Sequence, residues 1–165
     1  MNFKSIKTST IYTCILFLII VGLFVWLVVT QLEEFTLQND PKLKLLKERI
    51  IPLFSKDKKY SGILSSLNNR KNILNEITLY KGDKSYTINK QKIYLCLRDE
   101  NGEYYNDMML LHVLIHEICH CLCDEIGHTE KFNDMLDELL DEASKMGVYD
   151  KNYKLIQNYC TYNDK

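Results

Sequence analysis

Residues 11–29, IYTCILFLIIVGLFVWLVV, carry no charged side chain. In a helix, about 20 apolar residues rising about 1.5 Å each cross a hydrocarbon core of roughly 30 Å. The stretch therefore reads as a transmembrane helix over residues 11–30, preceded by a short tail of residues 1–10. It exceeds the apolar region of about 7–15 residues found in a cleaved signal peptide. Trp26-Leu27-Val28-Val29 also run straight into Thr30-Gln31 without a small-residue cleavage site. This feature commits the N-terminus to a single-pass anchor and leaves residues 31–165 to build one modest hydrophobic core. Lys4 and Lys7 precede the span, while Glu33, Glu34 and Asp40 follow it with Lys42 and Lys44 just beyond. That Lys/Arg balance leaves sidedness open.

Outside the span lie Cys96, Cys119, Cys121, Cys123 and Cys160, an odd number without framework spacing. Such usage points to a reducing, cytosolic side for the soluble domain. Charge is divided by region: residues 41–98 hold fourteen Lys and Arg against four acids, and residues 99–142 hold one Lys against thirteen. A basic half beside an anchor would suit an anionic lipid surface, but a solvated face is the ordinary explanation and the favoured one. The basic residues alternate with strand-forming apolar ones and show no phosphate-binding loop or zinc-finger spacing, which argues against nucleic acid as a partner. No motif bears on oligomeric state.

Within this domain stands His116-Glu117-Ile118-Cys119-His120. Four residues apart on a helix, the two imidazoles leave the same face about one turn from each other and can grip one metal ion. Glu117 lies about 100° round from His116 and about 60° from His120, within reach of a water on that ion without being a ligand. This is the H-E-x-x-H arrangement of zinc hydrolases. With four His and eleven Glu in 165 residues, composition alone would generate the pattern about once in 150 such chains, so accident is the weaker account. Asn106-Asp107 ahead of MMLLHVLI supply a helix cap and a first-turn acid, and Gly127 reads as the helix stop.

The surrounding elements follow from periodicity. Asp40-Pro41 caps a helix running through LKLLKERIIPLF until Pro52 interferes. SGILSSLNNRKNILN suggests a second short helix, weakened by its Ser and Asn content. The period then changes to two over Ile77–Tyr80, Tyr86–Ile88 and Ile93–Leu97, which predicts a small antiparallel sheet. Asp99-Glu100-Asn101-Gly102 turns the chain toward the motif helix. From Thr129, apolar residues at Phe132, Met135, Leu136, Leu139, Leu140 and Ala143 mark one face of an amphipathic helix that Gly147 ends. The expected class is α+β: a transmembrane helix, then a small domain of helices, a short antiparallel sheet, the motif helix and a C-terminal helix. A tail with Tyr149, Tyr153, Tyr159 and Tyr162 has no assigned element.

A catalytic zinc takes three protein ligands and keeps one position open. Four side chains compete for the third place. His112, with His116 and His120, would stretch three ligands over about 12 Å of helix, too far for bonds of about 2 Å, and reads instead as an outer or interfacial histidine. Cys123 reads as a small packed hydrophobe. Glu138 lies on the following helix, and His128 stands just past Gly127, where the chain can turn back to the metal.

His116-Glu117-Ile118-Cys119-His120, Gly127-His128 and Phe132 on an acidic amphipathic helix, with IYLCLRDENGEYY before them, resemble the minimal metalloprotease core of the WLM and SprT families over about residues 76–148. The resemblance implies a compact zincin fold, Zn²⁺ on His116, His120 and His128, and Glu117 as general base. It also suggests the membrane-anchored versions of large DNA viruses. Seven residues separate His120 from His128, against the five common in many WLM members. The DNA- or partner-binding tails of the family's DNA-repair proteases have no counterpart here, so a DNA–protein crosslink substrate is not implied. The expected activity is hydrolysis of peptide bonds in a protein or peptide substrate by a membrane-anchored zinc metalloprotease, with Tyr104, Tyr105 or Tyr149 available at the oxyanion. The rival is a catalytically inactive zinc-containing membrane scaffold or binding module; Glu117 beside the first histidine is a feature only hydrolysis needs.

Overall fold

A computed structural model describes residues 3–55 and 57–160, with side chains from Thr10 onward. The side chains of Lys4 and Lys7, and all of Tyr162, lie outside it. The chain divides into two units, Met1–Thr36 and Leu37–Lys165.

The first unit is built on helix α1, Phe3–Gln38. Its portion Thr10–Gln38 is long and apolar enough to cross a membrane, and none of its apolar window is buried. The helix outruns the apolar run at both ends, from Phe3 to Gln38, and the second unit begins at Leu37. No proline or glycine stands between Thr30 and Gln38 to stop it. Thr30 and Thr36 donate their hydroxyls to the carbonyls of Leu27 (2.9 Å) and Glu33 (2.8 Å), three residues back. Threonine is thereby accommodated in a helix without an outside partner.

The second unit opens with α2, Pro41–Ile50, capped by Asp40, whose carboxylate accepts from the Lys42 amide at 2.9 Å. Leu43, Leu46 and Ile50 face inward until Pro52 converts the chain to a 3₁₀ turn over Ile51–Phe54. The next stretch is not one short helix. It forms a 3₁₀ segment, Gly62–Asn69, and a single-turn helix α3, Ile73–Glu76. Asn68 explains part of the change: its amide exchanges hydrogen bonds of 2.9 and 2.8 Å with the Tyr60 main chain. Such side-chain bonds compete with regular helix.

Strands β1 (Thr78–Lys81), β2 (Tyr86–Ile88) and β3 (Lys92–Leu95) form a sheet in the order β1-β3-β2. The sheet is mixed rather than antiparallel: β2 pairs antiparallel with β3, but β1 pairs with β3 in parallel. A tight turn with left-handed Asn89 and Lys90 joins β2 to β3. The link from β1 instead crosses the end of β3, where the Gly82 amide donates to the Leu95 carbonyl at 2.9 Å. A Cβ on Gly82 would lie 3.1 Å from the Tyr94 Cβ and 2.9 Å from the Lys84 carbonyl, so only glycine allows the crossing. The register stacks Tyr94 between Tyr80 and Tyr86, with ring centroids 4.8 and 4.7 Å apart.

Helix α4, Asp107–Leu122, begins at Asn106, which accepts from the Met108 amide at 2.8 Å. Asp107 pairs with Lys42 and Arg49 of α2 at 2.8 and 3.1 Å. Eleven of its sixteen residues are buried, which makes it the central element. It stops at Leu122 because Cys123 turns extended, so Gly127 is not the helix stop; it bends the following loop at φ 84°. Helix α5, Glu130–Lys145, is capped by Thr129 and buries Phe132, Met135, Leu139, Leu140 and Ala143. Gly147, at φ 70°, ends it, and the Val148 amide returns to the Ala143 carbonyl at 2.9 Å.

The cysteines overturn the expectation drawn from their odd number. Cys96, just past β3, is disulfide-bonded to Cys160 in the tail, with Cα atoms 6.3 Å apart. Cys119, Cys121 and Cys123 are free and buried in the core. A bridge closed by residues 64 apart could not be read from spacing. The argument for a reducing side falls with it.

Candidate metal centre

The i, i+4 spacing on α4 puts the rings of His116 and His120 4.9 Å apart. The loop after α4 bends at Gly127 and returns His128 to them, its ring centroid 4.9 Å from each. The three imidazoles form a near-equilateral triangle, and their ligand atoms lie within 4.8 Å of one another. His116 and His128 approach Nε2 to Nε2 at 3.0 Å. Nitrogen ligands on one tetrahedral zinc sit about 3.3 Å apart at bond lengths of about 2.0–2.1 Å, so this donor set fits zinc in both chemistry and spacing. Beneath the triangle lies Phe132, fully buried, with centroids 5.1, 4.3 and 5.0 Å from the rings of His116, His120 and His128. Its α5 turn is fixed by Thr129, whose hydroxyl accepts from the Phe132 amide at 3.3 Å.

Glu117 is the single buried charged residue among the described ones, 5% exposed. The Thr87 hydroxyl on β2 donates to its Oε2 at 2.7 Å. Burial pushes the Glu117 carboxyl up, and the Thr87 bond works against that rise. The carboxylate and the three histidines open on a cleft of about 580 Å³, walled by Ser85, Tyr86, Thr87, Asn89 and Lys90 on one side and the loop Glu125-Ile126-Gly127 on the other.

The WLM domain model matches residues 57–159, more than half of the chain. The chain belongs to the WLM family. Similar proteins come from large DNA viruses. An uncharacterized protein of Invertebrate iridescent virus 6 is 46% identical over 136 residues, covering 76% of each chain. One of Invertebrate iridescent virus 3 is 41% identical over 61% of this chain and 63% of its own. One of Acanthamoeba polyphaga mimivirus is 27% identical over 67% and 58%. No solved structure matches the chain. The WLM domain is linked to zincin-like metallopeptidases and implies zinc.

In this WLM domain the other ligand candidates stand apart from the triangle. His112 faces Tyr149, whose hydroxyl is 3.3 Å from Nδ1. Cys123 is buried in the core, and its carbonyl accepts from the Lys90 ammonium. Glu138 lines a separate hollow with Lys59, Tyr60 and Ser61. The tyrosines named for the oxyanion are engaged elsewhere: Tyr104 donates to Asp40 at 2.9 Å, Tyr105 accepts from the Cys160 amide at 3.1 Å, and Tyr149 meets His112. Tyr86 borders the cleft from β2 while its ring stacks on Tyr94 on the other face of the sheet, and Tyr159 lines an adjoining hollow with His116 and Glu117. Thr87 was not visible as a site residue, since its partner lies 30 residues away.

The buried imidazoles carry a pH signature. His116 is pushed down to about 4, by burial first and then by His120, His128 and His112. Its ordinary value is about 6.5. Between these values the unfolded chain binds more protons than the folded one, so stability is lost as pH falls from about 6.5 to about 4. His120 and His112, lowered chiefly by burial, add with the same sign, while the raised Glu117 opposes them. Urea melts of chelator-treated protein should therefore show a midpoint that drops steadily across this window. A flat midpoint would mean that the imidazoles are solvated and the triangle is not packed.

Proposed function

We propose that this WLM domain is a membrane-anchored zinc metallopeptidase, with His116, His120 and His128 as ligands and Glu117 as general base. The observation that carries the reading is a buried carboxylate opening on the same cleft as a triangle of imidazoles. The three histidines would hold the ion, and zinc bound there would supply a Lewis acid toward a water and a peptide carbonyl. Glu117 takes the proton of the attacking water and passes it to the leaving amine. Burial raises the affinity of Glu117 for protons, which favours its taking one from the water. The cleft between the β2 wall and the Ile126 loop is where an extended peptide or unfolded protein would bind on this reading. The apolar helix α1 supports a single-pass anchor in a lipid bilayer through residues 11–30.

The test uses the full chain in detergent. Wild type should hold about one zinc per chain and cleave an unfolded protein such as casein. Losing an outer-shell partner alone weakens zinc binding about 10–100-fold, so removing a ligand in His128→Ala should weaken it by about 100-fold or more and abolish cleavage at sub-saturating zinc. Wild type that binds zinc and cleaves nothing would make the domain a zinc-stabilised binding module instead.

A further inference from the structure

We infer that Thr87 is a positioning residue for Glu117, its hydroxyl holding the carboxylate in the orientation that proton transfer requires. The inference rests on the metallopeptidase reading. Thr87 sits in the middle of edge strand β2, paired with the buried Ile93 of β3. Its strand neighbours Tyr86 and Ile88 point to the other face and are 44% and 40% exposed, which leaves Thr87 as the β2 side chain aimed at α4. At such a place between sheet and core helix, valine would pack equally well, being the same shape. The hydroxyl is what distinguishes threonine here. It lies 2.7 Å from Glu117 Oε2 and 3.2 Å from the Glu117 carbonyl. A hydroxyl has one proton, and the nearer, charged acceptor takes it.

The carboxylate has no other protein donor among the described residues, so its remaining oxygen is left toward the cleft. Without Thr87 the group could rotate and share its time between the cleft and the β2 wall. The hairpin that carries Thr87 is itself fastened to α4 a second time, by Lys90 on the Cys123 carbonyl. Lys90 and Asn89 hold left-handed φ values of 56° and 52°, a conformation disfavoured in non-glycine residues and kept where surroundings enforce it. The strand is thus held at both Glu117 and Cys123, and Thr87 meets Glu117 at a defined height along the helix.

The experiment compares Thr87→Val, which keeps the shape, with Thr87→Ser, which keeps the donor, in the full chain. A hydrogen bond to a charged group is worth roughly 10- to 100-fold. Thr87→Val should lose that factor in kcat with KM and zinc content near wild type, and Thr87→Ser should recover most of it. The readout independent of turnover is calorimetric binding of acetohydroxamate to the zinc-loaded protein, since the probe gives up a hydroxyl proton to the same carboxylate. Its affinity should fall about tenfold in Thr87→Val and return in Thr87→Ser. That pattern in a protein that cleaves no peptide would support Thr87 and reject the peptidase reading. Wild-type kcat and hydroxamate affinity in Thr87→Val, or a Ser variant as impaired as Val, would overturn the assignment.

Discussion

Glu117→Gln is expected to keep about one zinc per chain and to lose peptide hydrolysis by roughly 10³-fold, the middle of the range for a general base. Glutamine matches glutamate in shape, so packing at this 5% exposed position is unchanged, and its amide oxygen can still accept from Thr87. What it cannot do is take a proton. Burial already disfavours the charged form of Glu117, so replacing it with a neutral amide removes a desolvation cost rather than adding one. Melting temperature should therefore hold or rise while turnover collapses. A misfolded variant would lose both, so a thermal melt alongside zinc analysis separates the two causes. Hydrolysis at the wild-type rate in a zinc-loaded Glu117→Gln protein would remove Glu117 from the mechanism.

The parts of this site that could be read beforehand are those governed by distance along one element. His116 and His120 share a helix face by arithmetic, the caps at Asp40 and Asn106 precede the helices they start, and the apolar face of α5 follows its period. The parts that could not be read depend on what the chain does between elements. Gly127 has the residue type of a helix stop, yet α4 ends at Leu122 and the glycine serves the bend that returns His128. The parallel pairing of β1 with β3 depends on Gly82 letting the β1–β2 link pass Tyr94, which no alternation of apolar residues encodes. Thr87 looked like any strand threonine until β2 and α4 were brought together. Phe132 carried both meanings: its period marked it as core, and its place beneath the three imidazoles makes it part of the site.

Reduction, or Cys160→Ser, is expected to cost the soluble domain about 2–4 kcal/mol of stability. The bridge joins residues 64 apart and encloses α4, α5 and the three histidines of the triangle in its loop. For a loop of that length, restricting the unfolded chain is worth roughly 4 kcal/mol by chain entropy. The tail keeps other attachments when the bridge is absent. Tyr159 donates to the Cys96 carbonyl at 2.6 Å and lies 2.9 Å from the Ser85 hydroxyl, and the Cys160 amide donates to Tyr105 at 3.1 Å. The folded form therefore survives reduction, and the loss appears as a lower urea midpoint. Cys119 and Cys121 contribute little thiolate near neutral pH, because burial pushes them up to about 12 and about 11. The single Trp26 lies on α1, in the other unit, so far-ultraviolet circular dichroism is the suitable probe rather than tryptophan fluorescence. A phosphine reductant should lower the wild-type midpoint to that of Cys160→Ser and leave the variant where it was. Identical midpoints for wild type and variant under oxidising conditions would mean that the bridge does not form in solution. A large shift would instead place the stable form of the domain on an oxidising side, since the same chain held reduced would surrender a sizeable part of the 5–15 kcal/mol or so that stabilises a typical domain.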